Sequence, residues 1–199
     1  MIHFKNKNQS DPYIKFFNLY DLAFKKSQDS IESFVISSFD NSLKQPEARF
    51  VNIKLIDDEN WIFYSNYNSP KATQFSDNNK ITALTYWSTI KCQIRIKAEI
   101  SKVPSEISDV YFSKRSAKKN ALAISSDQSK VISSYEMVQQ NYKSQLKKHS
   151  TITPRPKYWG GFSFTPYYFE FWAGHSSRVN KRESFQLEKN NWRKKVLQP

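Results

Sequence analysis

The chain has 199 residues and a formal net charge of +13, with 31 Lys and Arg residues against 18 Asp and Glu residues. Hydrophobic residues make up 38% and aromatic residues 16% of the chain, which excludes a disordered polypeptide and predicts a domain with a substantial core. No apolar run approaches the ~18 residues of a membrane-spanning helix, and the lone Cys92 excludes an intrachain disulfide. The N-terminal stretch MIHFKNKNQSDP lacks the apolar segment of a signal peptide, so the sequence predicts a cytoplasmic protein.

The positive charge lies mainly in the second half of the chain. Residues 1–100 hold 13 Lys and Arg residues against 11 Asp and Glu residues, whereas residues 101–199 hold 18 against 7. A basic half favours an anionic partner, such as nucleic acid or a phosphorylated small molecule. The alternative is a solvated, lysine-rich surface.

The first half of the chain predicts one helix followed by several strands. Ile14, Phe17 and Leu22 recur at helical spacing and predict a helix over residues 11–28. Ser69 can cap a second helix, over residues 69–78, and Pro70 suits its first turn. Strands, with a turn at 57–60, are predicted over residues 32–40, 49–56, 61–66, 81–88 and 92–103.

The second half predicts helices at about 105–115, 117–125 and 134–149, then strands over residues 160–166, 167–173, 183–189 and 192–198. Asn190-Asn191 is predicted as the tight turn before the last strand. Many strands joined by short turns predict a mainly β, α+β domain built on an antiparallel sheet or barrel. We expect residues 1–10 to be flexible and residues 11–199 to form a single domain.

Motifs for hydrolytic, metal and nucleotide chemistry are absent from the sequence. His3, His149 and His175 fall in no HExxH or Cys/His pattern, and no serine lies in a nucleophile elbow. The chain contains no βαβ alternation, GxGxxG sequence or P-loop. We therefore predict no metal site and no catalytic histidine.

Several segments could bind anions. Arg49 and Lys54 lie in one predicted strand, on opposite faces unless a bulge intervenes. Residues 70–72 open a helix whose free backbone N–H groups, beside Lys71, could hold phosphate. The alternative for both segments is solubilising charge and an ordinary helix start.

Two further segments carry polar side chains that could bind a ligand. Tyr111 and Arg115 are four residues apart on one helical face, where a guanidinium and a hydroxyl could grip one phosphate. Gln128 and Ser129 form a polar turn that is uninformative alone. For the Tyr111–Arg115 pair, surface packing is the alternative.

Taken together and in order, these segments resemble the pyridoxamine (pyridoxine) 5'-phosphate oxidase family from about residue 11 to residue 199. The most specific part is the stretch FEFWAGHSSRVNKR, residues 169–182. YWGGF at 158–162 and LQP at 197–199 also match. The matching residues of the C-terminal signature are Phe169, Glu170, Phe171, Trp172, Arg178, Val179 and Arg182.

The resemblance implies an antiparallel split β-barrel with peripheral helices that binds FMN at a homodimer interface. It also implies oxidation of pyridoxine or pyridoxamine 5'-phosphate to pyridoxal 5'-phosphate by O2, with active sites shared between two subunits. The residues implied to contact FMN are Arg49, Phe50, Val51, Asn52, Ile53, Lys54, Tyr64, Ser65, Lys71, Gln93, Gln128, Ser129, Trp172 and Arg182. Those implied to face the substrate are Lys54, Tyr111, Arg115, Lys119, Arg178 and Asn180, of which Arg178 and Asn180 are the catalytic candidates.

The sequence departs from the family pattern mainly in the loop after Trp172. Gly174 is expected to let the preceding strand turn there, and Asn180 replaces the signature histidine. Asn180 can form hydrogen bonds but cannot titrate near neutral pH. Elsewhere Pro70 replaces an arginine and Lys119 replaces a serine, so Lys119 could restore a lost positive charge.

Three alternatives remain open at this point. The chain could be a diverged family member that binds FMN or pyridoxal phosphate with little or no turnover, or a related flavin reductase on the same barrel. Nucleic-acid binding is the third, although no RNP, helix-turn-helix or zinc-finger pattern supports it.

Overall fold

The structure is a computed structural model that describes residues 1–148 and 154–199. Its helices are α1 (Asp11–Lys25), α2 (Pro70–Asp77), α3 (Ser105–Ser113), α4 (Ala117–Ser125) and α5 (Tyr135–Lys148). The predicted end of the last helix, at residue 149, lies outside the described residues. The strands are β1 (His3–Lys7), β2 (Ser33–Asp40), β3 (Gln45–Asn52), β4 (Leu55–Asp58), β5 (Asn60–Asn66), β6 (Lys80–Trp87), β7 (Cys92–Lys102), β8 (Trp159–Ala173), β9 (Lys181–Glu188) and β10 (Asn191–Leu197).

The strands form one open, mixed sheet in the order β1-β4-β5-β8-β7-β6-β2-β3, and β9 and β10 continue from β8 on a second branch. The pairing of β1 with β4 is parallel, and the other pairs are antiparallel. The mainly β architecture with peripheral helices, predicted from the sequence, is confirmed.

Helix α1 covers the aromatic core of the sheet. Phe16 is fully buried, and its ring centroid lies 4.5 Å from that of Trp61 on β5. The buried face of α1 differs from the spacing read from the sequence, since Ile14 and Leu22 are 40% and 44% exposed whereas Phe17 is buried. Aromatic rings rather than aliphatic side chains therefore set the orientation of this helix.

The first residues of the chain include a strand, β1, at one end of the sheet. His3–Lys7 form β1 along β4, and the backbone N–H of His3 donates to the carbonyl of Lys54 (3.0 Å). Ile2 is 3% exposed and belongs to the main hydrophobic core. This apolar contact and the backbone ladder hold the N-terminal segment against the sheet.

The predicted strand over residues 49–56 is divided into β3 and β4 at Ile53 and Lys54. The Ile53 side chain is fully buried, whereas the Lys54 side chain is 31% exposed. The break removes the strict alternation between Arg49 and Lys54, so the two cations need not lie on opposite faces. Conversely, the two strands predicted between residues 160 and 173 form one continuous strand, β8, with a register shift against β7.

Two turns differ from their sequence interpretations. The last hairpin turns at Lys189 and Asn190, whose φ angles are 46° and 67°, rather than at Asn190-Asn191. Gly174 has no positive φ; a Cβ there would lie 3.1 Å from the Trp172 ring. This glycine therefore makes room for an aromatic side chain, and its backbone freedom is not what turns the chain.

Helix α2 begins at Pro70, as predicted, with Ser69 at the N-cap position. The predicted cap itself is absent, because the Ser69 hydroxyl donates to the carbonyl of Asn66 (2.7 Å) instead of accepting from the helix. Ser69 is fully buried, so this bond ties the start of α2 to the end of β5. The arrangement brings Lys71 close to the neighbouring β5 residues.

Candidate functional site

A cleft of about 560 Å³ lies where β3 ends and β8 begins, between β5, the start of α2, and helices α3 and α4. It gathers most of the residues that the sequence assigns to ligand binding on the first part of the chain. Those lining it are Phe50, Val51, Asn52, Lys54, Tyr64, Ser65, Lys71, Tyr111, Arg115, Lys119 and Gln128.

Lys71 is a buried cation on the wall of the cleft. Its side chain is in the second position of α2, it is 6% exposed, and Nζ donates to the hydroxyls of Ser65 (3.2 Å) and Ser69 (3.0 Å). Burial, with a further contribution from the charge of Arg49, lowers the pKa of Lys71 to about 8. Among the ion pairs of the described residues, none joins Lys71 to a carboxylate.

Arg49 lies next to the cleft, and two polar side chains hold its guanidinium. Its Nη1 donates to Ser38 Oγ (2.6 Å) and its Nη2 donates to Gln74 Oε1 (3.0 Å). Gln74 is in turn fixed by donating from Nε2 to Asp40 Oδ2 (3.0 Å). Burial lowers the pKa of Arg49, and the nearby charge of Glu47 partly opposes this shift.

Three aromatic rings form a parallel stack in the cleft wall. The Tyr64 and Tyr111 ring centroids are 3.7 Å apart at an angle of 4°, and Trp159 lies 5.4 Å from Tyr64 at 8°. The Arg115 guanidinium lies 4.3 Å from the Trp159 ring centroid, in a cation–π contact. Burial raises the pKa of both tyrosines, so their hydroxyls remain protonated donors.

Arg115 carries an unsatisfied donor. Its Nη2 donates to the carbonyl of Lys119 (3.2 Å), but its Nη1 is buried and has no hydrogen-bond partner within the described residues. A buried charged donor without a partner is unfavourable, and it indicates a site for an acceptor that the chain itself does not supply. Lys119, the third residue of α4, adds a second cation to the same wall of the cleft.

Lys54 and Gln128 occupy two further positions of the cleft. Lys54 Nζ lies 3.5 Å from Glu32 Oε1, which also contacts the α-amino group of Met1 (2.9 Å). Gln128 Oε1 accepts from the Ser65 hydroxyl and from the backbone N–H of Asn66, both at 3.3 Å. These contacts fix a lysine and an amide at the two sides of the cleft.

Two of the sequence candidates near the cleft do not present their side chains to it. The Ile53 side chain is fully buried in the hydrophobic core, so only its backbone is available to a ligand. Ser129 follows Gln128 in an exposed turn, where its φ of 70° places it in the left-handed region.

A second group of candidates lies on neighbouring strands at the other end of β8. Gln93 on β7 is paired with Trp172 on β8, and Trp172 with Arg182 on β9. Arg182 is fully engaged within the chain, because Nε and Nη2 donate to Glu170 Oε1 (3.0 and 2.8 Å) and Nη1 donates to the carbonyl of Gln198 (2.9 Å).

Glu170 anchors this second group. It is 2% exposed and also accepts from Arg95 and from the Tyr168 hydroxyl. Burial alone would raise the pKa of Glu170, but the hydrogen bonds from Arg182, Arg95 and Tyr168 lower it below its usual value. The carboxylate is therefore charged at neutral pH and orients two arginines.

The loop between β8 and β9 carries the remaining two candidates, Arg178 and Asn180. Arg178 is exposed and has a φ of 62°. Asn180 Oδ1 accepts from the backbone N–H of His175 (3.0 Å). The two residues thus lie in one compact turn beside Trp172 and Arg182.

The cleft and the second group are separated within one chain. Trp159 in the cleft is the first residue of the strand β8, and Trp172 is next to the last. At ~3.3 Å per residue the two positions are roughly 40 Å apart along the strand. Within one copy, the cleft and the second group therefore lie towards opposite ends of β8, the longest of the described strands.

The described residues offer no metal centre, since no group of three or more His, Cys, Asp or Glu side chains stands close together among them. His3 lies on β1 and His175 in the loop after β8, whereas His149 lies outside the described residues. No helix in residues 1–148 or 154–199 has the length and apolar character needed to cross a bilayer.

Sequence reasoning missed the residues that support the ligand candidates. Trp159 was noted only as part of YWGGF, although the glycines that follow it leave space for Tyr64 and Tyr67 to lie against β8. Glu32 and Gln74 carry no motif at all. Their partners, Lys54 and Arg49, are 22 and 25 residues away in the chain, so only the tertiary fold reveals them.

Two protein-family models together match most of the chain. Residues 23–145 match the family model described as pyridoxamine 5'-phosphate oxidase. Residues 159–199 match the model described as the pyridoxine 5'-phosphate oxidase C-terminal dimerisation region. The cleft residues from Arg49 to Gln128 fall in the first segment, and Trp159, Trp172 and Arg182 in the second.

Individual relatives agree with the family match. The pyridoxine/pyridoxamine 5'-phosphate oxidase of Christiangramia forsetii is 36% identical over 191 residues, which are 95% of this chain and 89% of the relative. The pyridoxine/pyridoxamine 5'-phosphate oxidase 1 of Hydrogenovibrio crunogenus is 32% identical over 194 residues, covering 96% and 89% of the two chains.

Solved structures show the same fold. PhzG from Burkholderia lata, in complex with tetrahydrophenazine-1-carboxylic acid, has a TM-score of 0.89 at 23% identity and covers 96% of this chain and 93% of its own. A pyridoxamine 5'-phosphate oxidase-related, FMN binding protein from Nostoc punctiforme has a TM-score of 0.76 at 11% identity, covering 96% and 100%. At these identities the likeness is one of fold, and it confirms the split barrel implied by the sequence.

Proposed function

We propose that this chain, which belongs to the pyridoxamine 5'-phosphate oxidase family, binds FMN and oxidises pyridoxine or pyridoxamine 5'-phosphate to pyridoxal 5'-phosphate with O2. The observation that carries the proposal is the buried ammonium of Lys71, which has two serine hydroxyls but no carboxylate as partners among the described residues. A buried cation needs a counter-charge. An anionic ligand would supply it.

The residues of the cleft fit a phosphorylated flavin. Lys71 and the adjacent Arg49 provide two cations at the start of α2, where backbone N–H groups and the helix dipole also favour phosphate. Pro70 removes one side-chain cation at this position but leaves the helix start intact. Ser65 and Gln128 add a hydroxyl and an amide that can share hydrogen bonds with a ligand.

A second anion would fit the opposite wall of the same cleft. The unpartnered Nη1 of Arg115, the Tyr111 hydroxyl and the ammonium groups of Lys54 and Lys119 all belong to this wall. Two separate groups of cations in one cleft match the requirement for two phosphorylated ligands, FMN and the B6 vitamer. No carboxylate side chain lines the cleft between them among the described residues.

The chemistry supplied by bound FMN is the two-electron oxidation of the substrate and the return of the electrons to O2, giving hydrogen peroxide. The chain holds and orients the reactants. Arg115 and Tyr111 would bind the substrate phosphate, and the stacked rings of Tyr64, Tyr111 and Trp159 would form an apolar wall that excludes water from one side.

We propose a homodimer in which each cleft is completed by the second group of residues from the partner copy. The group on β7, β8 and β9 lies in or next to the segment that matches the dimerisation region, residues 159–199. In this arrangement Gln93, Trp172 and Arg182 would complete the flavin site, with Arg178 and Asn180 on the substrate side. Such an isologous pair would form two equal sites.

The test is an absorption spectrum of the purified protein followed by a peroxide assay with pyridoxine 5'-phosphate. Oxidised-flavin absorption and peroxide formation are expected for the wild-type protein, and Lys71→Met should lose the flavin. Lys25→Met, which removes an exposed lysine from the last turn of α1, is the matched control and should keep it.

The outcomes separate the proposal from its alternatives. A protein that stays colourless after incubation with FMN would overturn the proposal. Bound flavin without peroxide, with either vitamer, would instead identify a diverged family member that binds FMN or pyridoxal phosphate without oxidase turnover. Oxidation of a reduced nicotinamide in place of the vitamers would identify a flavin reductase.

A further inference from the structure

Residues 175–180, which follow Gly174 in the segment between β8 and β9, form a closed turn. The backbone N–H of Arg178 donates to the carbonyl of His175 (3.0 Å), and the N–H of Asn180 donates to the carbonyl of Arg178 (2.8 Å). The Asn180 side chain joins the two ends, because its Oδ1 accepts from the N–H of His175 (3.0 Å). This last bond is the only one of the three that depends on the identity of a side chain.

Arg178 is held in this turn against its intrinsic backbone preference. Its φ of 62° lies in the left-handed region, which a residue with a Cβ rarely adopts unless the surrounding structure enforces it. Its side chain is exposed, and within the described residues the guanidinium forms no hydrogen bond or ion pair. The turn therefore fixes the direction in which the Arg178 side chain leaves the backbone, while the guanidinium stays unpaired within the described residues.

We propose that Asn180 is a positioning residue that closes this turn and so fixes Arg178 for binding the anionic substrate. The inference rests on the proposed function for the role of Arg178, and it gives Asn180 a place in the mechanism other than proton transfer. The amide oxygen is already used by the His175 backbone, and an amide does not titrate in the working range of pH.

The rest of the turn supports this role by fixing His175, the residue that donates to Asn180. The His175 ring is hydrogen-bonded to Ser177. The Ser177 backbone N–H donates to His175 Nδ1 (3.2 Å), and the Ser177 hydroxyl lies 2.6 Å from the same nitrogen. The His175 backbone is thereby held at the start of the turn, and Asn180 holds it from the end. Both contacts leave the Arg178 side chain free.

The test compares two variants. Asn180→Ala removes the oxygen that accepts the hydrogen bond, whereas Asn180→Asp retains an accepting oxygen in the same place. Trypsin cleaves after Arg178, and the closed turn should protect that bond. In the ligand-free protein we expect Asn180→Ala to raise the rate of cleavage after Arg178 about fivefold, the effect of losing one exposed hydrogen bond. Asn180→Asp should stay within about twofold of the wild-type rate.

Two references make the comparison specific. Cleavage after Lys130, in the exposed segment following α4, reports any general loss of stability and should be equal in all three proteins. Synthetic peptides spanning residues 172–184 of each variant correct for the intrinsic preference of trypsin for the altered sequence. Equal cleavage after Arg178 in Asn180→Ala and wild type would overturn the proposal.

The catalytic arm of the test separates positioning from direct chemistry. Asn180→Ala should raise KM for pyridoxine 5'-phosphate about tenfold and leave the pH dependence of kcat unchanged, because neither side chain titrates. A changed pH profile in Asn180→Ala would contradict the proposed role. A wild-type protein with no oxidase activity would refute the proposed function alone, since the proteolysis arm requires neither flavin nor substrate.

Discussion

Glu32 and Lys54 form an ion pair at the edge of the cleft, with Oε1 of the carboxylate 3.5 Å from Nζ of the lysine. Both side chains are partly exposed, at 20% and 31%. Burial acts to raise the pKa of Glu32, but its hydrogen bond to the N-terminal amine and the charge of Lys54 lower it overall. At neutral pH this carboxylate offsets one of the positive charges that face the proposed substrate phosphate.

Replacement of the carboxylate with the amide, Glu32→Gln, should therefore strengthen anion binding. Lys54 would lose its counter-charge within the chain, and we expect the affinity for pyridoxal 5'-phosphate to rise about threefold at low salt and less at high salt. Isothermal titration at two salt concentrations checks this. Asp21→Asn, an equal change of net charge on the exposed face of α1, is the control and should have little effect. Weaker binding in Glu32→Gln would show that Glu32 mainly orients Lys54.

Lys71 makes ligand binding depend on pH. Its pKa is lowered from 10.5 to about 8 in the ligand-free protein, mainly by burial. A phosphate beside the ammonium would favour the charged form and raise this pKa again. Binding of FMN at pH 8 should therefore take up about half a proton at Lys71. Titration calorimetry in buffers of different ionisation enthalpy measures this uptake, which should fall to about a tenth of a proton at pH 7, where Lys71 is already largely protonated before FMN binds.

The same lowered pKa predicts how stability changes with pH. Between pH 8 and 10.5 the unfolded chain binds a proton at Lys71 that the folded chain has released, so the contribution of Lys71 to stability rises with pH across this range. Compared with Lys71→Met, the ligand-free wild-type protein should gain up to about 3 kcal/mol between pH 7 and pH 10.5. Denaturant unfolding of both proteins at the two pH values tests the sign. A constant difference would mean that Lys71 is solvated in the free protein.

Trp159 should control how tightly Arg115 binds phosphate. The guanidinium lies 4.3 Å from the Trp159 ring centroid, and this contact directs it while leaving Nη1 without a partner. Trp159→Leu removes the ring face, and we expect the affinity for pyridoxal 5'-phosphate to fall about tenfold, in line with a partly desolvated cation–π contact. Trp159→Phe should lose less than about threefold. Equal losses of affinity in the two variants would show that packing, and not the cation–π contact, causes the effect, since Trp159 is 6% exposed.

The parts of the site that the sequence predicts are those encoded by short-range patterns. Tyr111 and Arg115 both line the cleft because only four residues separate them, although α3 ends at Ser113 and Arg115 lies in the turn after it rather than on the predicted helical face. Lys71 follows from the serine–proline start of α2, another short-range pattern. The strands were likewise predicted from composition and alternation, apart from β1, the break at Ile53 and the continuity of β8.

What the sequence could not predict depends on contacts between distant segments. The strand β1 is short and polar, and it is held by its parallel pairing with β4, the burial of Ile2 and the packing of Phe4 on Phe17 and Tyr20. The ion pair of Arg95 with Glu170 joins residues 75 positions apart. At Gly174 the sequence pattern was misleading. A glycine between a strand and a loop predicts a turn, whereas this glycine accommodates the Trp172 ring. Packing partners of this kind are set by the tertiary structure.

The separation of the two partial sites along β8 predicts that two inactive variants can restore each other. Lys71→Met damages the cleft, and Arg178→Ala damages the loop that would act on the partner's cleft. Arg178 is exposed and has no side-chain partner among the described residues, so its loss should not affect folding. A mixed dimer contains one site with an intact cleft from one copy and an intact loop from the other.

Random reassociation of the two variants after dissociation should therefore recover about a quarter of the wild-type peroxide formation, since half of the dimers are mixed and one of their two sites is complete. Wild-type protein taken through the same dissociation and reassociation gives the reference value. Each variant reassociated alone should remain inactive. If mixing restored nothing while the wild-type reference recovered, the cleft of one copy and the loop of the other would not form one site, and the shared site of the proposed dimer would be overturned.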